Sequence, residues 1–135
     1  MKQPTPKLGP KQWRELADAA WDCREHAYVI GSTAVGAAAL SSEGKIFAGC
    51  NVEHPFRSHD VHAEINAITS MIADGGKRLL AIVIVAERKR FTPCGACMDW
   101  IFQFGGPSCI VGYQSKMGGT IRKFRARDLM PYYPL

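Results

Sequence analysis

Apolar positions along this chain recur first at a helical spacing and then at a strand spacing, and the alternation between the two predicts an α/β arrangement. Pro10 opens a helix to about Tyr28, because Trp13, Leu16, Ala17, Ala20 and Trp21 share one face at three- and four-residue steps. Segments 34–40 and 45–51 read as short apolar strands joined by Ser41-Ser42-Glu43-Gly44, a hairpin turn with glycine where positive φ is needed. A second helix starts at His62, with Glu64, Ala67, Ile68, Met71 and Ile72 on one side and Gly75-Gly76 as its stop. Segment 79–86, Leu-Leu-Ala-Ile-Val-Ile-Val-Ala, is apolar at every position, which predicts a central strand covered by helices on both faces. A third helix runs from Cys94 to Gly105-Gly106. Segments 108–113 and 120–124 are separated by only six residues, too few for a helical crossover, so they are antiparallel neighbours. A brief helix over 126–130 and the tail Pro131-Tyr132-Tyr133-Pro134-Leu135 close the chain.

Composition narrows the class. A chain of 135 residues with 47% hydrophobic and 21% charged residues is globular, and its length suits one domain over 1–135. No apolar run approaches the ~20 residues of a membrane span, and the polar stretch 1–11 has no signal-peptide core, so a cytoplasmic protein is expected. The formal charge of +5 comes from scattered basic residues, with Arg88-Lys89-Arg90 and 123–127 as the two clusters. They read as solvated surface rather than a nucleic-acid site. Of five cysteines, Cys23, Cys50 and Cys109 fall in helix or strand segments and are expected as buried free thiols, without a disulfide framework.

The chemistry sits in two short motifs, His62-Ala63-Glu64 and Pro93-Cys94-Gly95-Ala96-Cys97. One imidazole and two thiols are donors that zinc takes, and three protein ligands leave a fourth position for a water, as catalytic rather than structural sites do. Cys94 and Cys97 are three apart and share a helix face, while Pro93 suits a first helical position. His62 and Glu64 begin the other helix, so two helix N-termini converge on the metal and favour thiolate there. Glu64, next to the ligands but not needed as one, is the expected proton carrier. A structural zinc half-site or a redox pair would explain the cysteines alone, but neither needs Glu64.

In this order, the motifs match the zinc deaminase signature, His-x-Glu followed by Pro-Cys-x-x-Cys. Over nearly its full length the chain resembles the cytidine deaminase family: Val35-Gly36-Ala37-Ala38 and Leu40 resemble its first strand, Gly49-Cys50-Asn51-Val52-Glu53 its second, and Asp128-Leu129-Met130-Pro131-Tyr132 its C-terminal closure. The resemblance implies a three-layer α/β/α fold with a five-stranded mixed sheet whose last two strands are antiparallel. It also implies one zinc per chain on His62, Cys94 and Cys97, Glu64 as the catalytic residue, and hydrolytic deamination of cytidine or deoxycytidine. The Ala63 carbonyl and the Cys94 N–H would read the base edge. Asn51 and Glu53 project to one side of a strand end and suit a ribose hydroxyl, the role these motif positions have in the family. The usual assembly is a homotetramer, with a dimer as the smaller possibility, in which neighbouring subunits share residues.

Three departures stand out. His62 and Ile65 occupy positions where small tetrameric members usually have Cys and Arg; one imidazole with two thiolates leaves the zinc cluster near neutral, so Ile65 need not supply a charge. Thr33 stands where the family carries an aromatic against the base. The loop His54-Pro55-Phe56-Arg57-Ser58-His59-Asp60 keeps the family length but not its residues, which makes Phe56, or Tyr132 of a neighbouring subunit, the expected replacement stacking face. A partial resemblance to blasticidin S deaminase, through Ala38-Ala39-Leu40-Ser41-Ser42, Gly44, Ile46-Phe47, Gly49, Asn51-Val52 and His54, offers a modified cytosine nucleoside as the alternative substrate, although Glu53 argues against it. A polynucleotide deaminase is favoured only by charge, and a zinc module without activity would have no use for Glu64.

Overall fold

A computed structural model describes residues 5–134. The elements follow in the order α1 (Pro10–Arg24), β1 (Gly36–Ser41), β2 (Ile46–Cys50), a short 3-10 turn (Arg57–His59), α2 (Ala63–Ala73), β3 (Leu79–Val85), α3 (Gly95–Gly105), β4 (Ile110–Gln114), β5 (Arg122–Arg125) and α4 (Ala126–Leu129). Five strands form one mixed sheet in the order β2-β1-β3-β4-β5. β1 is antiparallel to both β2 and β3, β3 and β4 are parallel, and β4 and β5 are antiparallel, as the short connection between the last two requires.

Strand alternation divides the core into two. Ala38, Leu40, Ala81, Val83 and Val85 face α1 and pack against Trp13, Leu16, Ala20 and Trp21. Ala37, Ala39, Ile82 and Ile84 face the other way, against Ala67, Ile68 and Met71 of α2 and Met98, Ile101 and Phe102 of α3. Because β3 is buried on both faces, its uninterrupted apolar run is what this layering demands. Each fully buried Ile or Val there contributes about 1.5–3 kcal/mol relative to an exposed one.

Strand direction places the site. β2 and β3 are each antiparallel to β1 and so run the same way, and the helices that follow them, α2 and α3, both begin at the carboxyl edge of the sheet. Two glycines let the helices approach this closely. A Cβ on Gly49 of β2 would lie 2.4 Å from the Ala67 nitrogen and 2.6 Å from the Ala63 carbonyl oxygen, and one on Gly36 would lie 2.1 Å from the Ala20 carbonyl oxygen. Asn66 of α2 completes the seam by accepting the Cys50 N–H through Oδ1 at 3.0 Å.

Several boundaries differ from those expected. α1 ends at Arg24 rather than Tyr28, because Tyr28 N–H donates to the Asn51 carbonyl and Glu53 N–H to the Tyr28 carbonyl, pairing this segment with residue 52 as a β-bridge. Pro93 precedes the helix instead of opening it. Cys94 is the N-cap in extended conformation, φ −69° and ψ 172°, as is His62 for α2, φ −77° and ψ 154°. Gly44 has the positive φ expected of it, +83°. No helix among the described residues is long and apolar enough to cross a membrane.

Candidate active site and metal centre

The two N-caps bring the predicted ligands together. His62 Nδ1 lies 3.3 Å from both Cys94 Sγ and Cys97 Sγ, and the two sulfurs are 3.5 Å apart. Tetrahedral zinc, with bonds of about 2.1 Å to nitrogen and 2.3 Å to sulfur, spaces its donor atoms about 3.5–3.8 Å apart, so the observed triangle is only slightly tighter than the metal's own. His62 and Cys94 are exposed and Cys97 is buried, so the triangle is open on one side. These donors fit zinc on chemistry as well as on distance, because each offers a lone pair to one shared point.

Glu64, the second residue of α2, is 3% exposed and in hydrogen-bond contact with Cys97. Burial pushes its carboxyl above the usual carboxylate range, with its own backbone N–H and His62 pulling it partly back. Burial pushes the Cys97 thiol up too, reinforced by Glu64 and Cys94. A divalent metal on the triangle would favour the deprotonated forms of these acids.

A cavity of about 280 Å³ opens onto the triangle, and Thr33, Val35, Asn51, Glu53, Ala63, Glu64 and Cys94 line it. Asn51 is buried just beyond β2; its Oδ1 accepts the Val35 N–H and its Nδ2 donates to the Thr33 carbonyl, both at 2.8 Å. Glu53 is held from two sides, by the Ile30 and Gly31 N–H groups on Oε1, each at 2.7 Å, and by Arg57 3.2 Å from Oε2. The two backbone donors, above all Gly31, hold its carboxyl below the usual range. Arg57 also donates to Asp60 at 2.9 Å, so that the loop is tied into one charged cluster.

Residues 10–113 match the family model for the cytidine and deoxycytidylate deaminase zinc-binding region. The chain belongs to this deaminase family. It is 33% identical to cytidine deaminase of Mycobacterium tuberculosis over 121 residues, 88% of this chain and 86% of that one. It is 36% identical to cytidine deaminase of Sporosarcina psychrophila over 110 residues, 80% of each chain. The crystal structure of cytidine deaminase from Burkholderia pseudomallei superposes with a TM-score of 0.81 at 34% identity, covering 93% of this chain and 98% of that one.

Within this deaminase fold, Phe56 does not line the cavity of its own chain, and Tyr132, expected from a neighbouring subunit, stands clear of it as well. Phe56 is 69% exposed and stacks outside on His54, ring centroids 5.6 Å apart, with His59 beside them. Tyr132 is 96% exposed, because its neighbour Tyr133 anchors the tail on α3 by stacking on Phe102 at 3.9 Å and donating to Asp99 at 2.6 Å. The aromatic that does line the cavity is Phe91, which the sequence reading missed. It lies three residues before Cys94 and stacks on Tyr113, centroids 5.8 Å apart. Arg88 was missed as well: it belongs to a cluster expected as solvated surface, yet it lines the cavity and donates to Thr33 Oγ1 at 2.6 Å.

Proposed function

We propose that this chain deaminates cytidine or deoxycytidine hydrolytically, giving uridine or deoxyuridine and ammonia, with one zinc per chain on His62, Cys94 and Cys97. The observation that carries this reading is one cavity in which a buried carboxyl, Glu64, stands beside three convergent soft donors, with Asn51 and Glu53 also on its wall. Zinc, when bound, supplies a Lewis acid that lowers the pKa of a water toward about 7.

The residues of the chain divide the remaining work. Glu64 takes a proton from the attacking water and delivers it to the ring nitrogen beside the amine-bearing carbon, then assists departure of the amine as ammonia. The Ala63 carbonyl and the Cys94 N–H, at the two helix starts, read the edge of the base. Phe91 stacks against its face, a contact worth ~1–3 kcal/mol. Glu53, fixed from behind by two backbone donors and Arg57, takes a sugar hydroxyl, and Asn51 holds the 33–35 wall while its second amide hydrogen remains available to the sugar.

Steady-state kinetics on cytidine and free cytosine test the assignment. Cytidine is expected to turn over and cytosine far less well, since sugar contacts help orient the ring. Glu53→Gln is expected to cost cytidine roughly 1–3 kcal/mol in kcat/KM and to leave cytosine nearly unaffected. Equal losses on both substrates would make Glu53 a structural residue, and no turnover of cytidine would overturn the function.

The same reading includes a homotetramer in the cytoplasm. Tyr28, Ile30, Val52 and Val61 are exposed apolar residues, and the bridges joining 28, 52 and 61 place three of them on one small ladder. A patch of this kind is an expected contact between copies. Sedimentation velocity on the zinc-loaded protein should report a mass near four chains, and a monomer would refute the assembly.

A further inference from the structure

Among the described residues, Arg88 is the cavity arginine that forms no ion pair. The other charged groups near the sugar-binding pair are tied to one another: Arg57 faces Glu53 at 3.2 Å and Asp60 at 2.9 Å, and Asp60 also accepts the His54 N–H at 2.7 Å. The carboxylate next to Arg88 in sequence, Glu87, faces Arg24 at 3.5 Å instead. Among the described residues Arg88 has no ion pair; its side chain donates to the neutral hydroxyl of Thr33.

The segment carrying it is nonetheless built rather than loose. The Tyr113 hydroxyl donates to the carbonyls of Ala86 and Arg88, and the Arg88 N–H donates to the Ala86 carbonyl at 2.8 Å. Thr33 is held as firmly, through the bond from Asn51 to its carbonyl. The guanidinium is thus positioned over the cavity wall by one bond and retains further N–H donors, a fork whose geometry matches carboxylate and phosphate. Lys89 and Arg90 follow it in sequence, both exposed, and add to the positive charge of this segment.

We infer that Arg88 is a specificity-determining residue that recognises an anionic group carried by the cytosine nucleoside, a phosphate or a carboxylate. The inference rests on the deaminase reading above and deepens it: the neutral nucleoside fills the cavity as far as Glu53 and Thr33, and the acidic substituent meets Arg88. Glu53 is itself engaged by two N–H groups and Arg57, so it does not take up the Arg88 guanidinium.

The test compares kcat/KM for cytidine with that for cytidine 5′-monophosphate, cytidine 5′-carboxylic acid and 5-carboxycytidine, in the native zinc-loaded protein and in Arg88→Gln. Calorimetric Kd values for uridine and the three corresponding products supply a readout independent of turnover. At least one acidic compound is expected to be preferred over its neutral counterpart, and Arg88→Gln is expected to reduce that preference about ten- to a hundredfold. The preference should also fall between low and physiological salt, since Arg88 is exposed. The responding arm tells phosphate from carboxylate, and sugar from base. Ratios at or below one for all three acids, or ratios that Arg88→Gln leaves in place, overturn the inference. Absence of turnover on every compound, cytidine included, would instead overturn the deaminase reading, while the Kd ratios would still decide the role of Arg88.

Discussion

Cys97→Ala is expected to lower zinc content from about one per chain to near zero, and to lower the melting temperature by roughly 10–20 °C in zinc-containing buffer. The size follows from linkage: a ligand at a thousand times its dissociation constant stabilises the folded state by about 4 kcal/mol, and each kcal/mol is worth several degrees in a domain of this length. Cys97 is fully buried one turn into α3, and its sulfur lies 3.3 Å from the N-cap histidine of α2. Its loss removes one donor of the triangle that joins the two helix starts. Cys109→Ala provides the control, because Cys109 is a similarly buried free thiol packed in the core rather than at the triangle. That variant should lose some stability to the missing sulfur and keep its zinc. Stoichiometric zinc and full turnover in Cys97→Ala, measured by elemental analysis and ultraviolet assay, would remove Cys97 from the metal site.

What the chain reveals before folding, and what it hides, divides along a physical line. The β3 run, the α1 face and the two motifs were legible because each depends on spacing within one element: period two, period three to four, or a cysteine pair on one helical turn. Strand pairing at the C-terminus was legible because a six-residue connection between 108–113 and 120–124 excludes a crossover. Arg88 and Phe91 were not legible. They lie in the loop between β3 and α3, where no period applies, and their position depends on Tyr113, a residue on β4 that no local pattern connects to them. The setting of Phe56 was not legible for the same reason: a loop aromatic has no face until its neighbours are known, and within this chain the nearest are His54 and His59. The end of α1 was hidden by a tertiary contact, the bridge from Tyr28 to residue 52, which overrides a helical reading that runs to about Tyr28.

Glu64→Gln is expected to keep the metal and lose the reaction. Its side chain is buried at the start of α2 against Cys97, so the amide, equal in size, should occupy the same space and leave the melting temperature close to native. What an amide cannot do is accept a proton from water and return it to the ring. General acid–base catalysis by one positioned group contributes about 10²–10⁴ in rate, and Glu64 is assigned both the forward and the return transfer, so kcat should fall by at least about 10³-fold. Because Asn51, Glu53 and Phe91 remain, the Kd for uridine should change by less than about tenfold, which separates a chemical defect from a binding one. Zinc loss in Glu64→Gln would mean that the carboxylate ligates the metal. A kcat within about tenfold of native, with zinc in place, would mean that another group carries the proton. Glu64→Asp sharpens the comparison: it restores a carboxylate but withdraws it by one methylene, so zinc-replete Glu64→Asp should recover part of the lost rate only if proton transfer, rather than the shape of the α2 start, is what Glu64 provides.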